Sequence, residues 1–414
     1  MKRLFNKDGL SPLKEKEFRL FIVVRFLYIM ALRMVGTVVA YELFQITQSS
    51  FAIGLVGLSE FIPVFFLALY AGHKIDKSDK RTMMLNGMFI YILCIVGLIF
   101  FTNQSIQKHL SVKAIEFSFY SIIFISGIIR AFIGPANNAI IFQLVPRNIL
   151  HFAASLSSST FLTASIVGHA SAGFFIAWFG VNTTFIIILG YVLISIYFIS
   201  KISKKPIVNI NESVRPLKSM IEGLTYVFKN KILLGAISLD LFAVLFGGAV
   251  ALIPEFASKV LGVGPIGFGW LNGASDLGSM LVIITLTLFP LRKKQGKIMM
   301  YAVGGFGLCI ILFGLSNFYF ISFMLLLMAG CFDGISVLVR STILQLTTPD
   351  EMRGRVSSVN SMFINSSNEL GQMESGIASR LLGLRPSIIF GGAVTLLVVI
   401  VTWFNAKQLR KMEY

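Results

Sequence analysis

Apolar stretches of about 20 residues recur along the whole chain, and this feature limits the possible folds more than any other. A helix of that length crosses the ~30 Å hydrocarbon core of a bilayer. Hydrophobic residues make up 56% of the 414 residues and charged residues 13%, about half the charged share of a typical soluble domain. A soluble domain could not cover so many helices that are apolar on every side. The sequence therefore predicts an all-α polytopic membrane protein.

The apolar pattern predicts twelve membrane spans. The predicted ranges are 20–44, 51–71, 83–102, 117–145, 152–178, 181–200, 232–257, 267–290, 298–316, 318–347, 355–380 and 386–406. The fifth and eleventh spans are rich in Ser, Asn and Gly. Small and hydroxyl residues allow helices to approach closely in a membrane bundle. We therefore expect these two spans to face protein or a wet cavity rather than lipid.

Basic residues are concentrated in alternate loops, which predicts the topology. If the N-terminus is cytoplasmic, 27 of the 36 Lys and Arg residues lie on the cytoplasmic side. Four lie on the other side: Lys108, Lys113, Lys259 and Arg385. The positive-inside rule then predicts a bacterial inner-membrane protein with both termini in the cytoplasm. The net charge of +17 is explained by topology, so no nucleic-acid partner is expected.

A polar stretch at 201–219, containing Pro206 and Pro216, divides the chain nearly in half. The next segment places Met220, Leu224, Val227 and Phe228 on one helical face. This indicates an amphipathic helix at the membrane surface, with a simple continuation of the linker as the alternative. The sequence predicts three parts: an N-terminal six-helix half at 1–200, a cytoplasmic linker with its helix at 201–231, and a C-terminal six-helix half at 232–414.

The two halves resemble each other in sequence. With one residue inserted, FQLVPRNILHFAASLSSSTF aligns with LQLTTPDEMRGRVSSVNSMF. The alignment then continues without gaps at an offset of 203 residues. Glycines coincide in pairs, which are Gly168 with Gly371, Gly173 with Gly376, and Gly180 with Gly383. The first two pairs are predicted helix-packing positions. An offset of half the chain indicates duplication about an axis along the membrane normal, as in major facilitator transporters.

The loop after the second span reads AGHKIDKSDKR, residues 71–81. Gly72 permits a tight turn, and Asp76 can cap the N-terminal end of a neighbouring helix, the eleventh span in our prediction. Lys80 and Arg81 can pair with acidic groups at the cytoplasmic face. We predict a conformational latch here; the alternative is a basic loop that only sets topology.

This loop resembles the major facilitator motif between the second and third helices. Further segments, among them GLVGLSEFIPVF, VLGVGPIGFGWLNGASDLG and STILQLTTPDEMRGRVSSVNSMF, resemble the drug–proton antiporter branch of that superfamily, which includes siderophore exporters and macrolide efflux proteins. The resemblance covers most of residues 20–400. Many antiporters of the family have Gly-Pro on the fifth span where this chain has Gly168 and His169, so the usual kink there is in doubt.

Ionisable residues inside spans are functional candidates, because each costs roughly 2.5–3.5 kcal/mol at mid-helix. By resemblance, the first, fourth, seventh and tenth spans line the central cavity. The substrate-cavity candidates are Arg33, Arg130, Asp333 and Arg340. The proton-coupling candidates are Asp240, Glu60, Asp276, Glu369 and Glu374.

Structural explanations compete with these roles. Asp333 and Arg340 share a helical face and could form a self-contained pair. Asp240 could simply bond a neighbouring helix, and His169 could be a satisfied interface residue. Glu255 is expected to be solvated near a helix end.

We predict a secondary active exporter of a small amphipathic molecule, coupled to protons. The resemblance favours a siderophore; macrolide or multidrug efflux, nutrient or metal-ion transport, and a non-transporting scaffold are the alternatives. The chain has no phosphate-cradling Gly-x-x-x-x-Gly-Lys-[ST] motif and no Cys/His cluster with metal-ligand spacing, so no enzyme activity, cofactor or metal site is expected. The expected partners are the substrate, protons and the lipid bilayer, with the protein as a monomer.

Overall fold

The computed structural model describes residues 7–206, 216–289, 291 and 293–413, and within these ranges the chain is helical with no strand. The described part contains twelve helices of fourteen residues or more. They are α1 (Lys16–Thr47), α2 (Ser50–Asp76), α3 (Lys80–Phe101), α4 (Val112–Ala139), α5 (Leu150–Ser200), α6 (Pro216–Lys229), α7 (Lys231–Gly247), α8 (Pro265–Leu288), α9 (Gln295–Leu315), α10 (Tyr319–Thr347), α11 (Arg353–Leu382) and α12 (Leu384–Asn405).

Short helical pieces connect the long ones. Four are single α-turns, at Gln104–Gln107, Ile141–Leu144, Ile253–Glu255 and Lys407–Arg410. Four are 3₁₀ segments, at Lys7–Lys14, Arg147–Ile149, Ala249–Leu252 and Asp350–Met352. Phe256–Val260 is a π-helical turn. The irregular stretch from Ala249 to Val260 extends α7 after Gly248, whose φ of −77° and ψ of 86° end the regular helix.

Among the described residues, nine helical segments are long and apolar enough to cross a membrane. The longest, Arg147–Ser200, has 54 residues and would measure about 80 Å at 1.5 Å per residue, far more than one crossing needs. It is broken at Gly180, where φ is 77° and ψ is 172°, and so provides two crossings. Each of the twelve predicted spans coincides with helical residues, including the polar helix α11.

The chain divides into two compact units. Unit 1 comprises Met1–Val39 and Ile62–Ser213, and unit 2 comprises Ala40–Phe61 and Val214–Tyr414. The turn between α1 and α2 therefore belongs with the C-terminal helices. The sequence boundaries had assigned that turn to the N-terminal half, and the division at residues 200 and 232 stays a prediction.

Glycines allow the segment Ala40–Phe61, which is the end of α1 and the start of α2, to pack closely within unit 2. A Cβ added at Gly54 would lie 2.8 Å from the backbone oxygen of Gln372, and one at Gly57 would lie 2.7 Å from that of Glu369. On the facing helix, a Cβ at Gly376 would lie 3.1 Å from the backbone oxygen of Ser50. Helices α2 and α11 are thus in contact through their backbones, which only residues without side chains allow.

The repeated glycines occupy equivalent places in the two units. In unit 1, a Cβ at Gly168 of α5 would lie 2.9 Å from the Met30 oxygen of α1. In unit 2, a Cβ at Gly371 of α11 would lie 2.9 Å from the Leu245 oxygen of α7. Gly173 is buried within α5. Each unit therefore packs its fifth span on its first span at the same repeat position.

Helix α6 packs within unit 2, against α10 and α11. Val227 is buried, the Tyr226 hydroxyl donates to the Thr347 oxygen at 2.7 Å, and Gly223 lies against the Arg355 backbone. Phe228 stays exposed. The amphipathic segment of the sequence is thus a helix with one side on the protein and an apolar side chain on the other. The side chain of Met220 lies outside the described residues.

Candidate functional site

A buried ion pair joins α7 to α10 in unit 2. Arg340 Nη1 contacts Asp240 Oδ2, and both residues are 4% exposed. Burying either charge alone would cost several kcal/mol, and the opposite charge of the partner offsets much of that cost. The sequence had offered Asp333 as a partner for Arg340, but seven residues separate their Cα atoms by about 10 Å along the helix, whereas Asp240 lies directly across from Arg340.

Two further carboxylates lie at the contact between α8 and α10. Asp276 and Asp333 are half-buried and close enough for their charges to interact. The helices approach closely here, because a Cβ at Gly330 would collide with the Ser275 backbone. The Ser279 hydroxyl donates to the Gly330 oxygen at 2.9 Å. Close packing between α8 and α10 thus brings two carboxylates to one helix contact.

The remaining proton-coupling candidates also lie in unit 2. Glu369 on α11 is 9% exposed and accepts a hydrogen bond from Gln372 Nε2 at 3.1 Å. Glu374, on the same helix, and Glu60, on α2, are half-buried. The structure therefore gathers all five proton-coupling candidates into unit 2.

Unit 1 carries arginines stacked on an aromatic ring. Arg25 is 8% exposed, and its Nε donates to the Ser157 oxygen at 3.1 Å. The Phe161 ring of α5 has the Arg25 guanidinium 6.0 Å from its centroid and the Arg33 guanidinium 5.4 Å from it. Arg130 lies half-buried on α4. A guanidinium over an aromatic face is an attractive arrangement, and guanidinium N–H groups suit the oxygens of an anion.

The histidine on α5 has a structural partner. His169 Nδ1 lies 2.7 Å from the Thr37 hydroxyl of α1, and that hydroxyl also donates to the Arg33 oxygen at 3.0 Å. Among the described residues, no group of three or more His, Cys, Asp or Glu side chains could hold a metal ion. His169 therefore fits the interface role that the sequence analysis offered as its alternative.

In the predicted latch motif, helix α2 continues through Gly72 to Asp76, so the prediction of a tight turn at Gly72 is wrong. The side chain of Asp76 lies outside the described residues. Of the other two, Lys80 is buried. Arg81 donates from Nη2 to the Ser200 oxygen at 2.8 Å and from Nε to the Ile199 oxygen at 3.3 Å. These are the last carbonyls of α5, where a cation meets the negative end of the helix dipole. Arg81 thus binds a helix terminus rather than an acidic loop group.

Asp79 organises the same loop, although the sequence patterns did not single it out. Its carboxylate accepts from the backbone N–H groups of Arg81 and Thr82, at 3.3 Å each, and from that of Lys205 at 3.1 Å. Burial raises the pKa of Asp79, but bonds from the Thr82 hydroxyl and these N–H groups outweigh it, so the pKa is lowered. Lys205 Nζ also pairs with Glu17 on α1. An aspartate just before a helix start is an N-cap signature, and it was visible in the sequence.

Glu255 is bonded rather than solvated. The Ser50 hydroxyl donates to its Oε2 at 2.5 Å, and Lys259 Nζ lies 2.8 Å from its Oε1. Ser50 is 2% exposed. The carboxylate thus connects the turn before α2 to the irregular stretch after α7, both in unit 2.

Comparison with known proteins identifies a family that the sequence matches. Residues 7–414 match the family described as "Transmembrane secretion effector". An uncharacterised major-facilitator-type transporter of Bacillus subtilis, YfmI, is 27% identical over 287 residues, covering 67% of this chain and 70% of that protein. The enterobactin exporter EntS of Shigella boydii is 24% identical over 359 residues, covering 85% of this chain and 82% of that protein.

Solved transporters share the fold. A mutant of the nucleoside transporter NupG superposes with a TM-score of 0.77 at 14% identity, over 94% of this chain and 99% of that one. A bacterial homologue of the human lysosomal transporter Spinster gives 0.73 at 15% identity, over 95% and 96%. At these identities the likeness establishes the fold and leaves the substrate open.

Proposed function

Because the chain belongs to the transmembrane secretion effector family of the major facilitator superfamily, and is therefore a multi-pass membrane transporter, we propose that it exports a small amphipathic anion in exchange for protons. The two units divide the work in this proposal. The arginines of unit 1 bind the substrate, and the carboxylates of unit 2 carry the protons.

The positive charge in the spans of unit 1 is the observation that favours an anionic substrate. Arg25, Arg33 and Arg130 lie in its spans, whereas no aspartate or glutamate occurs between residues 18 and 39 or between residues 117 and 200. Fixed positive charge in a region of low dielectric attracts anions and repels cations. Arg25 and Arg33, which lie on the same Phe161 ring, would attract an anionic substrate to this region.

Phe161 narrows the class of anion. Its ring lies against both Arg25 and Arg33, so the site combines an aromatic surface with guanidinium donors. A catecholate siderophore, with aromatic rings and acidic hydroxyls, suits both features. The enterobactin exporter EntS, similar over most of this chain, supports the same substrate class and the outward direction.

The proton path is proposed for unit 2. Asp240 is charged beside Arg340, and moving the arginine away would favour the protonated carboxyl. Asp276 and Asp333, on α8 and α10, are candidates for the same path. Glu60, Glu369 and Glu374 are further candidates along the same unit. Exchange of a proton at Asp240 is the step we assign to coupling.

A second candidate function is efflux of a cationic or macrolide drug. It rests on the acidic residues of unit 2, which would attract a cation as strongly as the arginines of unit 1 attract an anion. The two functions differ in which unit contacts the substrate, so a substitution in unit 1 separates them.

Flux in proteoliposomes with an imposed pH gradient tests the proposal. A radiolabelled catecholate siderophore should accumulate, and a lipophilic cationic dye should not. Arg33→Gln should raise the half-saturating siderophore concentration at least about tenfold, since a hydrogen bond to a charged group contributes roughly 1.5–3 kcal/mol.

Arg147→Gln is the matched control, because it removes the same charge from an exposed loop position and should leave flux unchanged. Preferred transport of the dye, with Arg33→Gln indistinguishable from wild type, would favour the drug-efflux alternative. Siderophore flux that ignores the pH gradient would refute proton coupling alone.

A further inference from the structure

An apolar groove runs between α9 and α12 on the outer face of unit 2. Its volume is about 200 Å³, and its lining consists of Met300, Tyr301, Val399, Ile400, Trp403 and Phe404. Tyr301 and Phe404 are 64% and 66% exposed. The Tyr301 and Trp403 rings lie 5.6 Å apart at one end of the groove. Trp and Tyr concentrate at the membrane–water boundary, so this end marks the level of the lipid headgroups.

Cationic side chains surround the same end. The Arg410 guanidinium lies 5.1 Å from the centroid of the Trp403 ring, and its Nη1 donates to the Trp403 oxygen at 3.2 Å. Lys297 is one turn before Tyr301 on α9, on the same helical face. Lys407 is exposed at the start of the C-terminal turn. Positive charge therefore lies directly at the aromatic end of an otherwise apolar groove.

The position of these cations is built into the fold. The Gly296 N–H donates to the Met412 oxygen at 3.2 Å, and a Cβ at Gly296 would collide with the Leu409 oxygen. Leu409 is fully buried. The segment that carries Arg410 is thus held against the first turn of α9, one residue from Lys297. The cations are fixed beside the groove rather than carried on a free tail.

We propose that this groove binds an anionic phospholipid, with an acyl chain along Val399 and Ile400 and the phosphate between Arg410 and Lys297. Charge complementarity identifies the occupant. A zwitterionic lipid offers the groove the same acyl chain but brings a compensating cation close to Arg410. Basic pockets beside membrane helices select anionic headgroups, and each Lys or Arg near the surface adds about fivefold in affinity.

Tryptophan fluorescence measures this site directly. The chain has three tryptophans, Trp178, Trp270 and Trp403, so Trp178→Phe with Trp270→Phe leaves the groove residue as the only one. The protein is reconstituted in phosphatidylcholine vesicles that contain increasing fractions of a lipid brominated on its acyl chains. Brominated phosphatidylglycerol should reach half-maximal quenching at about 25-fold lower mole fraction than brominated phosphatidylcholine, because two cations contribute.

Lys297→Gln with Arg410→Gln should abolish this preference. Arg147→Gln with Lys229→Gln removes the same charge from exposed positions and should preserve it. Equal quenching by the two brominated lipids in the single-tryptophan protein overturns the proposal without reference to any charge variant. Equal loss of preference in both double variants also overturns it, because the effect would then follow from net charge rather than from the groove.

Discussion

The two units share a packing scheme but differ in the charge of their membrane helices. Unit 1 has arginines in its spans, two of them on the Phe161 ring. Unit 2 has carboxylates, of which Asp240 is neutralised by Arg340. The packing glycines, Gly168 and Gly371, nevertheless sit at equivalent helix contacts. Shared helix contacts beside different charges are what we expect if the predicted duplication was followed by divergence of the charged residues.

The largest expected effect comes from breaking the ion pair of unit 2. Asp240→Asn or Arg340→Gln alone should lower the free energy of unfolding by about 3–5 kcal/mol, because the remaining charge stays buried without its partner. The double variant should recover most of that loss. Thermal unfolding of the purified protein in detergent measures all three, with Arg147→Gln as an exposed control that should unfold like wild type.

Transport by the same variants separates stability from coupling. At matched membrane abundance, Asp240→Asn should still exchange substrate in counterflow yet fail to accumulate it against a pH gradient. A single variant as stable as wild type would remove the contrast between the units, because it would mean that the pair is not buried. Loss of counterflow together with accumulation would assign Asp240 a structural role only.

A smaller effect on stability is expected at Asp79, a carboxylate in the loop between α2 and α3 of unit 1. Asp79→Ala should cost about 2 kcal/mol, since a capping side chain and its bond to a third N–H are lost. The lowered pKa of Asp79 fixes the pH dependence. The contribution of Asp79 to the free energy of unfolding is fully present above the pKa of the unfolded state. It disappears as the pH falls through the lower pKa of the folded state.

Asp79→Asn distinguishes the charge from the cap, because asparagine caps helices nearly as well. This variant should keep most of the free energy of unfolding at pH 7. That free energy should then no longer fall on acidification through this site, because asparagine does not titrate. Chemical unfolding from pH 7 down to pH 3 measures both variants. A decline of the same slope in Asp79→Asn would assign the acid sensitivity to another group.

The smallest effect is expected at the turn of unit 2. Ser50→Ala removes the hydroxyl that donates to Glu255 and should cost about 1 kcal/mol. Ser59→Ala is the matched control, since its hydroxyl donates only within α2, to the Leu55 oxygen at 2.8 Å. Equal unfolding temperatures for the two variants would show that Glu255 does not hold the turn.

The spans and the repeat could be predicted because their signals are local or periodic. A run of 20 apolar residues identifies a span without any knowledge of the helices around it. The repeat is visible because Gly180 and Gly383 align at the same offset as the other glycine pairs. The partner of Arg340 could not be predicted, since Asp240 is one hundred residues away and periodicity says nothing about which helices meet. Glu255 was misjudged for the same reason, because its donor Ser50 lies in the other half of the sequence.

Gly180 and Gly383 also constrain how such a sequence can change. Their backbone angles, with φ of 77° and 90° and ψ of 172° and 164°, lie in a region that is essentially reserved for glycine. Every single-base change that alters the amino acid of a glycine codon installs a side chain, or a stop, at a turn between two membrane crossings. We therefore expect substitutions at these two codons to be rejected far more often than changes of the charged residues nearby.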